Sequence, residues 1–143
     1  MFEKILIATD GAEYTKSAVE HGLELARVFR SKVYAIYVVS TPSLVSTLDV
    51  PLESVHGLLQ KEGEYAVKTV TEIGFRKGLN VERVVVEGYP AEEIVKFANK
   101  QGVGMIVMGT AGKRGMDKFL LGSVAEKVIR TSAIPVLVVR GKR

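Results

Sequence analysis

The sequence predicts a doubly wound α/β domain: one five-stranded parallel sheet between two layers of helices. Three observations predict it. Five short, largely β-branched apolar runs punctuate the chain, and such near-continuous runs mark strands buried on both faces. The stretches between them repeat apolar residues at helical spacing. The chain has 143 residues, the length of one ordinary domain, so 1–143 is read as a single unit. Strand and helix in alternation, joined by right-handed crossovers, give a three-layer sandwich with the expected strand order 3-2-1-4-5.

The first strand is Ile5-Leu6-Ile7-Ala8. A helix follows on which Ala18, Gly22, Leu25 and Phe29 recur at alternating four- and three-residue spacing and are expected to share a face. The second strand runs from Val33 to Val39. Ser40 to Leu52, with Pro42 and Pro51, reads as an irregular loop placed to cover a site. Val55, Leu59, Ala66, Val70 and Ile73 then align on one face of a longer helix. Val84-Val85-Val86, preceded by Val81-Glu82-Arg83, has the charged flank of an edge strand. Pro90 suits the first turn of the next helix, Glu92 and Glu93 its positive end, and Gly102 its stop. Met105 to Met108 forms the fourth strand, Ser123 to Thr131 the last helix and Val136 to Val139 the fifth strand.

Composition excludes several functions. Hydrophobic residues make up 47% and charged residues 25%, a folded chain rather than a disordered one. No apolar run reaches the roughly 20 residues of a membrane span. Met1-Phe2-Glu3-Lys4 leads directly into a strand without a signal-peptide pattern, so the expected location is the cytoplasm, with no membrane partner. The absence of cysteine removes disulfides, thiolate nucleophiles and thiolate metal sites. The net charge of +4 suits phosphate-bearing small molecules, while 7% aromatics without Trp is a thin supply of base-stacking platforms, and no nucleic-acid partner is expected.

In such a sheet the ligand crevice lies beyond the C-terminal strand ends. The residues falling there are Thr9-Asp10-Gly11, Val38 to Ser40, Gly88-Tyr89 and Gly109-Thr110-Ala111-Gly112. The loop after the fourth strand carries Gly109, Gly112, Gly115 and Gly122 together with Lys113, Arg114 and Lys118. Two readings of it stand. Glycines at positive φ, exposed N–H groups and the N-terminus of the last helix make an anion cradle suited to phosphates. Alternatively it is a plain strand-to-helix connection, with Ser123 and Glu126 as a capping box. Familiar nucleotide motifs do not fit: there is no Walker A string, the turn after the first strand is Thr9-Asp10-Gly11-Ala12 rather than G-x-G-x-x-G, and a phospho-receiver's acidic pair and acceptor Asp are missing.

The whole chain resembles the universal stress protein family. The resemblance rests on the opening Ile5 to Gly11, the ending Ile134-Pro135-Val136-Leu137-Val138-Val139, and the pattern G-x2-G-x9-G-[ST] met by Gly109, Gly112, Gly122 and Ser123. It implies a Rossmann-like sandwich of the adenine nucleotide alpha hydrolase kind and, through that pattern, an ATP-binding member of the family. Adenine would lie near Ala8, Asp10 and the backbone of Val38, and ribose near Asp10 and Gly109. Phosphates would lie on Gly112, Lys113, Gly122, Ser123 and Val124. Thr9, Met108 and Thr110 complete the implied nucleotide set. Mg²⁺ or Mn²⁺ would be held through the phosphates, with no protein metal site. The family pattern is departed from at Ala12, Ala111 and Ala125, each the loss of a polar contact.

On this reading nucleotide acts as a regulatory or interaction switch in a stress response, toward an unidentified protein partner. A slow ATPase or phosphotransferase is the first alternative, although no side chain is identified as a catalytic base. The second is a nucleotide-free dimeric module. A homodimer through Val136, Leu137, Val138 and Val139 is expected, because that strand otherwise leaves an apolar edge open. Asp10 has the simpler reading of a cap on the first helix. His21 and His56, on separate helices with no carboxylate cluster in view, read as surface residues rather than metal ligands. Lys142 and Arg143 read as a solvated tail.

Overall fold

The computed structural model describes residues 1–45, 51–111 and 121–141. β1 (Lys4–Ala8), β2 (Lys32–Ser40), β3 (Val81–Gly88), β4 (Met105–Gly109) and β5 (Val136–Val139) form one sheet in the order β3-β2-β1-β4-β5, and every pairing is parallel. The helices are α1 (Lys16–Phe29), entered through a 3₁₀ turn at Glu13–Thr15, the short α2 (Thr41–Val45), α3 (Leu52–Arg76), α4 (Pro90–Gln101) and α5 (Ser123–Thr131). This is the expected sandwich with the expected strand order. None of the helices, among the described residues, is long and apolar enough to cross a membrane.

β1 lies at the centre, and Ile5, Leu6 and Ile7 are each wholly buried. Period-two alternation sends Ile5 and Ile7 to one face, with Val33, Ala35, Tyr37, Val39 and Val107, against α1 and α3. Leu6 and Ala8 go to the other, with Tyr34, Ile36, Ile106 and Met108, where Ile94, Ala98 and Val128 of α4 and α5 cover them. Each of these large side chains contributes about 1.5–3 kcal/mol by leaving water. β3 pairs only with β2 and β5 only with β4, so these are the two edges.

The helix ends follow the local chemistry. Pro90 opens α4 with Glu92 and Glu93 in the first turn, and Gly102 at φ 67 closes it by donating its N–H to the Ala98 and Asn99 carbonyls. The buried face of α1 is rotated from the expected one. Ala18, Val19, Gly22, Leu23 and Ala26 are buried, Leu25 is half-buried, and Phe29 is exposed against Phe2, with ring centroids 5.0 Å apart. The small residues set this face, because they let α1 approach the sheet closely and leave the larger side chains at the rim. Part of the Ser40–Leu52 segment is helical: Thr41–Val45 forms α2, which packs through Leu44, and positions 46–50 lie outside the described residues.

α3 carries the expected apolar residues inward and adds Gly63, Val67 and Gly74. A Cβ placed on Gly63 would stand 2.5 Å from the buried Tyr37 ring, whereas one on Gly57 meets nothing within 4 Å. The same substitution on this helix therefore has opposite signs. Gly57→Ala is expected to stabilise the fold by up to about 1 kcal/mol through helix propensity. Gly63→Ala is expected to destabilise it by about 1 kcal/mol net, since overpacking costs about 1–3 kcal/mol against that same gain. Chemical denaturation of the two variants measures both.

Candidate functional site

The sheet's connections change direction between β1 and β4, so the crevice of a doubly wound fold falls at their C-terminal ends. The register sets its shape. β1 pairs with β2 as far as Ala8↔Ile36, and the Thr9 N–H donates to the Ile36 carbonyl at 3.0 Å. β2 continues to Ser40 beside β3. Backbone groups alternate sides along a strand, so the next pair facing the β1 side is the N–H and C=O of Val38, with no β1 residue opposite it. A donor and an acceptor thus sit side by side on the crevice wall. Ala8 and Met108, both buried on the α4/α5 face, lie beneath.

A hydrogen-bonded turn follows β1. The Asp10 carboxylate accepts from the Ala12 N–H at 2.9 Å, and the Thr9 hydroxyl accepts from the Gly11 N–H at 3.1 Å. The Thr15 hydroxyl donates to the Ala12 carbonyl at 2.8 Å and lies 3.4 Å from that of Thr9, with both threonines buried. Gly11 sits at φ 78, a conformation glycine supplies at no steric cost, with the Ala66 Cβ 3.3 Å from where its own Cβ would stand. Asp10 therefore holds a turn rather than capping the helix: Thr15 is the N-cap residue of α1, one turn later. Thr15 was not among the candidate residues, and the hydroxyls spaced six apart around Asp10-Gly11 were its only signal in the sequence.

Beyond β4, the Gly122 N–H donates to the Thr110 carbonyl at 2.6 Å, tying the start of α5 to the strand end. Gly122 has φ −64 and ψ 156, ordinary extended backbone, and Gly109 is not left-handed either. The positive φ expected of them is absent. What requires glycine at 122 is proximity, because a Cβ there would stand 2.9 Å from the Thr110 carbonyl oxygen. Gly122 is also the N-cap residue of α5, which puts Ser123 at the first helical position, and no side chain caps the helix. The expected capping box is thus not formed. Glu126 instead accepts from Arg130 at 2.9 Å. The N–H groups of Ser123, Val124 and Ala125 open the helix toward the crevice, where they and the helix dipole favour an anion.

Of the candidate set, the structure brings Ala8, Thr9, Asp10, Val38, Met108, Gly109, Thr110, Gly122, Ser123 and Val124 to the strand-end side of the sheet. Gly112 and Lys113, like Arg114, Gly115 and Lys118, lie outside the described residues, as do Lys142 and Arg143. Ala12 and Ala111 stand on the two turns and Ala125 is buried. The histidines are separate. His21 Nδ1 lies 2.8 Å from the Ser17 carbonyl, and His56 Nε2 lies 3.4 Å from Glu87. A single carboxylate accompanies the half-exposed His56. Among the described residues no three His, Cys, Asp or Glu side chains gather as a metal site would require.

A parallel doubly wound sheet with a switch-point crevice, an Asp turn on one side and a bare helix N-terminus on the other defines a class of ligand-binding α/β domains. Within that class, the chain belongs to the universal stress protein family, whose model matches residues 1–140. It is 42% identical over 141 residues to universal stress protein MJ0531 of Methanocaldococcus jannaschii, covering 98% of this chain and 83% of that one. The solved structure of MJ0577 from the same organism superposes with a TM-score of 0.78 at 32% identity, covering 100% and 99% of the two chains. The universal stress protein from Archaeoglobus fulgidus in complex with dAMP superposes with a TM-score of 0.67 at 26% identity, covering 97% and 98%.

The buried threonine pair makes a prediction of its own. Thr15→Val keeps the shape and removes the hydroxyl. It is expected to destabilise the domain by about 1 kcal/mol, the net worth of a buried hydrogen bond, in a denaturant titration.

Proposed function

We propose that this chain is an ATP-binding regulatory member of its family, with nucleotide acting as a switch in an interaction with another protein during stress. The observation that carries the proposal is the N–H and C=O of Val38, which have no β1 partner among the described residues and face the crevice across from the uncapped start of α5. An adjacent donor and acceptor match the edge of adenine, whose ring nitrogen accepts while its amino group donates. Guanine presents the reverse pattern at the corresponding positions. Asp10 is proposed to meet the ribose, and Ser123 and Val124 the phosphates, with Gly112 and Lys113 completing that end. A bound deoxyadenosine monophosphate in the relative from Archaeoglobus fulgidus supports the choice of base. Mg²⁺ or Mn²⁺ fits best on the phosphate oxygens, since the described residues offer no three-ligand cluster. There it would screen phosphate charge.

Calorimetric titration tests the proposal: ATP is expected to bind at least about tenfold, or about 1.4 kcal/mol, more tightly than GTP. Equal or tighter GTP binding would overturn the base assignment. With no side chain identified as a base for water attack, Mg-ATP is expected to remain essentially intact on incubation. Sustained turnover near the roughly 1–100 per second typical of kinases would favour the enzyme alternative.

The homodimer is proposed through β5. The Thr110 N–H donates to the Val139 carbonyl and the Ile106 N–H to that of Pro135. By alternation, Leu137 faces β4, while the N–H groups of Val136 and Val138 point away from the sheet. The apolar Val136–Val139 edge is therefore open to a second copy of the chain. Light scattering at micromolar concentration is expected to give a dimer. Val138→Pro is expected to weaken it without unfolding the sheet, because the N–H removed makes no bond to β4. A stable wild-type monomer would count against this interface.

A further inference from the structure

At the opposite end of the sheet from the crevice, Arg27, Arg30, Lys32, Lys77, Gly78 and Asn80 line an open hollow of about 350 Å³. That volume lies near the lower end of small-molecule sites. It lies between the C-terminal ends of α1 and α3 and the first residues of β2 and β3. One carboxylate, Glu24, is paired to two of its cations, receiving Arg27 Nε at 3.0 Å and lying 3.4 Å from Lys77 Nζ. The hydrogen bond from Arg27, more than any other influence, holds the Glu24 carboxyl below its ordinary range.

Some positive charge here follows from helix electrostatics alone, since two helix C-termini each present roughly half a negative charge. The hollow holds more than that. Arg27, Arg30 and Lys77 stand against Glu24 and the two helix ends, which leaves about one positive charge uncompensated. Arg30 is the clearest excess. It occupies the left-handed position after α1, φ 55, where glycine is the ordinary residue. It makes no ion pair among the described residues. An arginine kept where glycine is sterically favoured has its guanidinium held beside the hollow at the expense of backbone strain. Lys32 borders the hollow at the start of β2, but its ammonium lies 5.0 Å over the Tyr34 ring, on the α4 face of the sheet.

We infer that this hollow is a second anion site, separate from the strand-end crevice, for a small phosphate-bearing ligand. The planar fork of Arg30 suits paired phosphoryl oxygens, and the Asn80 carboxamide adds a neutral donor. The site does not depend on nucleotide binding at the crevice.

The test is an amide NMR titration of the full chain at low salt, with inorganic phosphate and pyrophosphate as separate probes. Saturable shifts are expected in 27–32 and 77–80. A stronger response to pyrophosphate identifies a diphosphate-type ligand, and equal responses identify a single phosphoryl group. Arg30→Gly is expected to melt no lower than the parent, because it relieves the left-handed strain, yet to weaken binding at least about fivefold. Glu24→Gln releases Arg27 and Lys77 and is expected to tighten binding at least about twofold. Shifts confined to 9–12 and 109–124, an unchanged affinity in Arg30→Gly, or a single-stranded oligonucleotide that binds more tightly across a wider surface would each overturn the inference.

Discussion

The constraint on which the rest of the structure depends is the length of β1. It is wholly buried from Ile5 to Ile7 and stops pairing at Ala8, while β2 beside it runs on to Ser40. A longer β1 would occupy the Val38 backbone as an ordinary ladder partner and close the crevice with hydrogen bonds. Its early end leaves two sheet groups facing the crevice instead. The stop is enforced locally, because Thr9 and Asp10 take up the next N–H groups with their own side chains. Those bonds hold the turn in place of further strand.

The α5 side of the crevice depends on a single close approach. The Gly122 N–H meets the Thr110 carbonyl, and no Cβ fits between them. The bond brings the start of α5 against the end of β4 whatever the intervening loop does. It also satisfies the N-cap N–H within the protein, so the groups of Ser123, Val124 and Ala125 are the ones left for an external acceptor. A serine cap would have competed for them. The capping box that the sequence seemed to offer at Ser123 and Glu126 would thus have closed the helix end that the fold leaves open.

Much of this was legible in the residues, and for identifiable reasons. Strands buried on both faces write continuous apolar runs, so β1, β2 and β4 stood out. Pro90 and Gly102 bracketed α4 because each has only a few backbone conformations open to it or needs one that others avoid. The glycine spacing Gly109-Gly122-Ser123 pointed to the candidate site. Other features were hidden because they depend on distances between segments remote in sequence. That Gly122 is needed for contact rather than for φ depends on Thr110, twelve residues earlier. Thr15 belongs to the site only because its hydroxyl meets that of Thr9 across a turn. The rotated face of α1 follows from how near Gly22 lets it come to Ile7. The His56–Glu87 pair joins two elements whose proximity no local pattern announces.

Parallel topology gives the two ends of the sheet opposite electrostatic characters. Every helix following a strand points its N-terminus toward the strand C-termini and its C-terminus the other way. The crevice end is therefore supplied with N–H groups by the backbone itself. Glu92, Glu93 and Glu126 in the first turns of α4 and α5 belong to the same field, as the acidic residues that helix starts favour. Held by exposed bonds to Lys127 and Arg130, Glu92 and Glu126 are directed along the surface. At the far end the carbonyl termini of α1 and α3 draw in cations, and one carboxylate is too few to balance them. A neutral partition would have needed a glycine at position 30 or a second acid beside Lys77. The chain has an arginine at the first and a glycine at Gly78 after the second. The same topology that gives one end of the sheet its positive character from backbone thus gives the other its positive character from side chains.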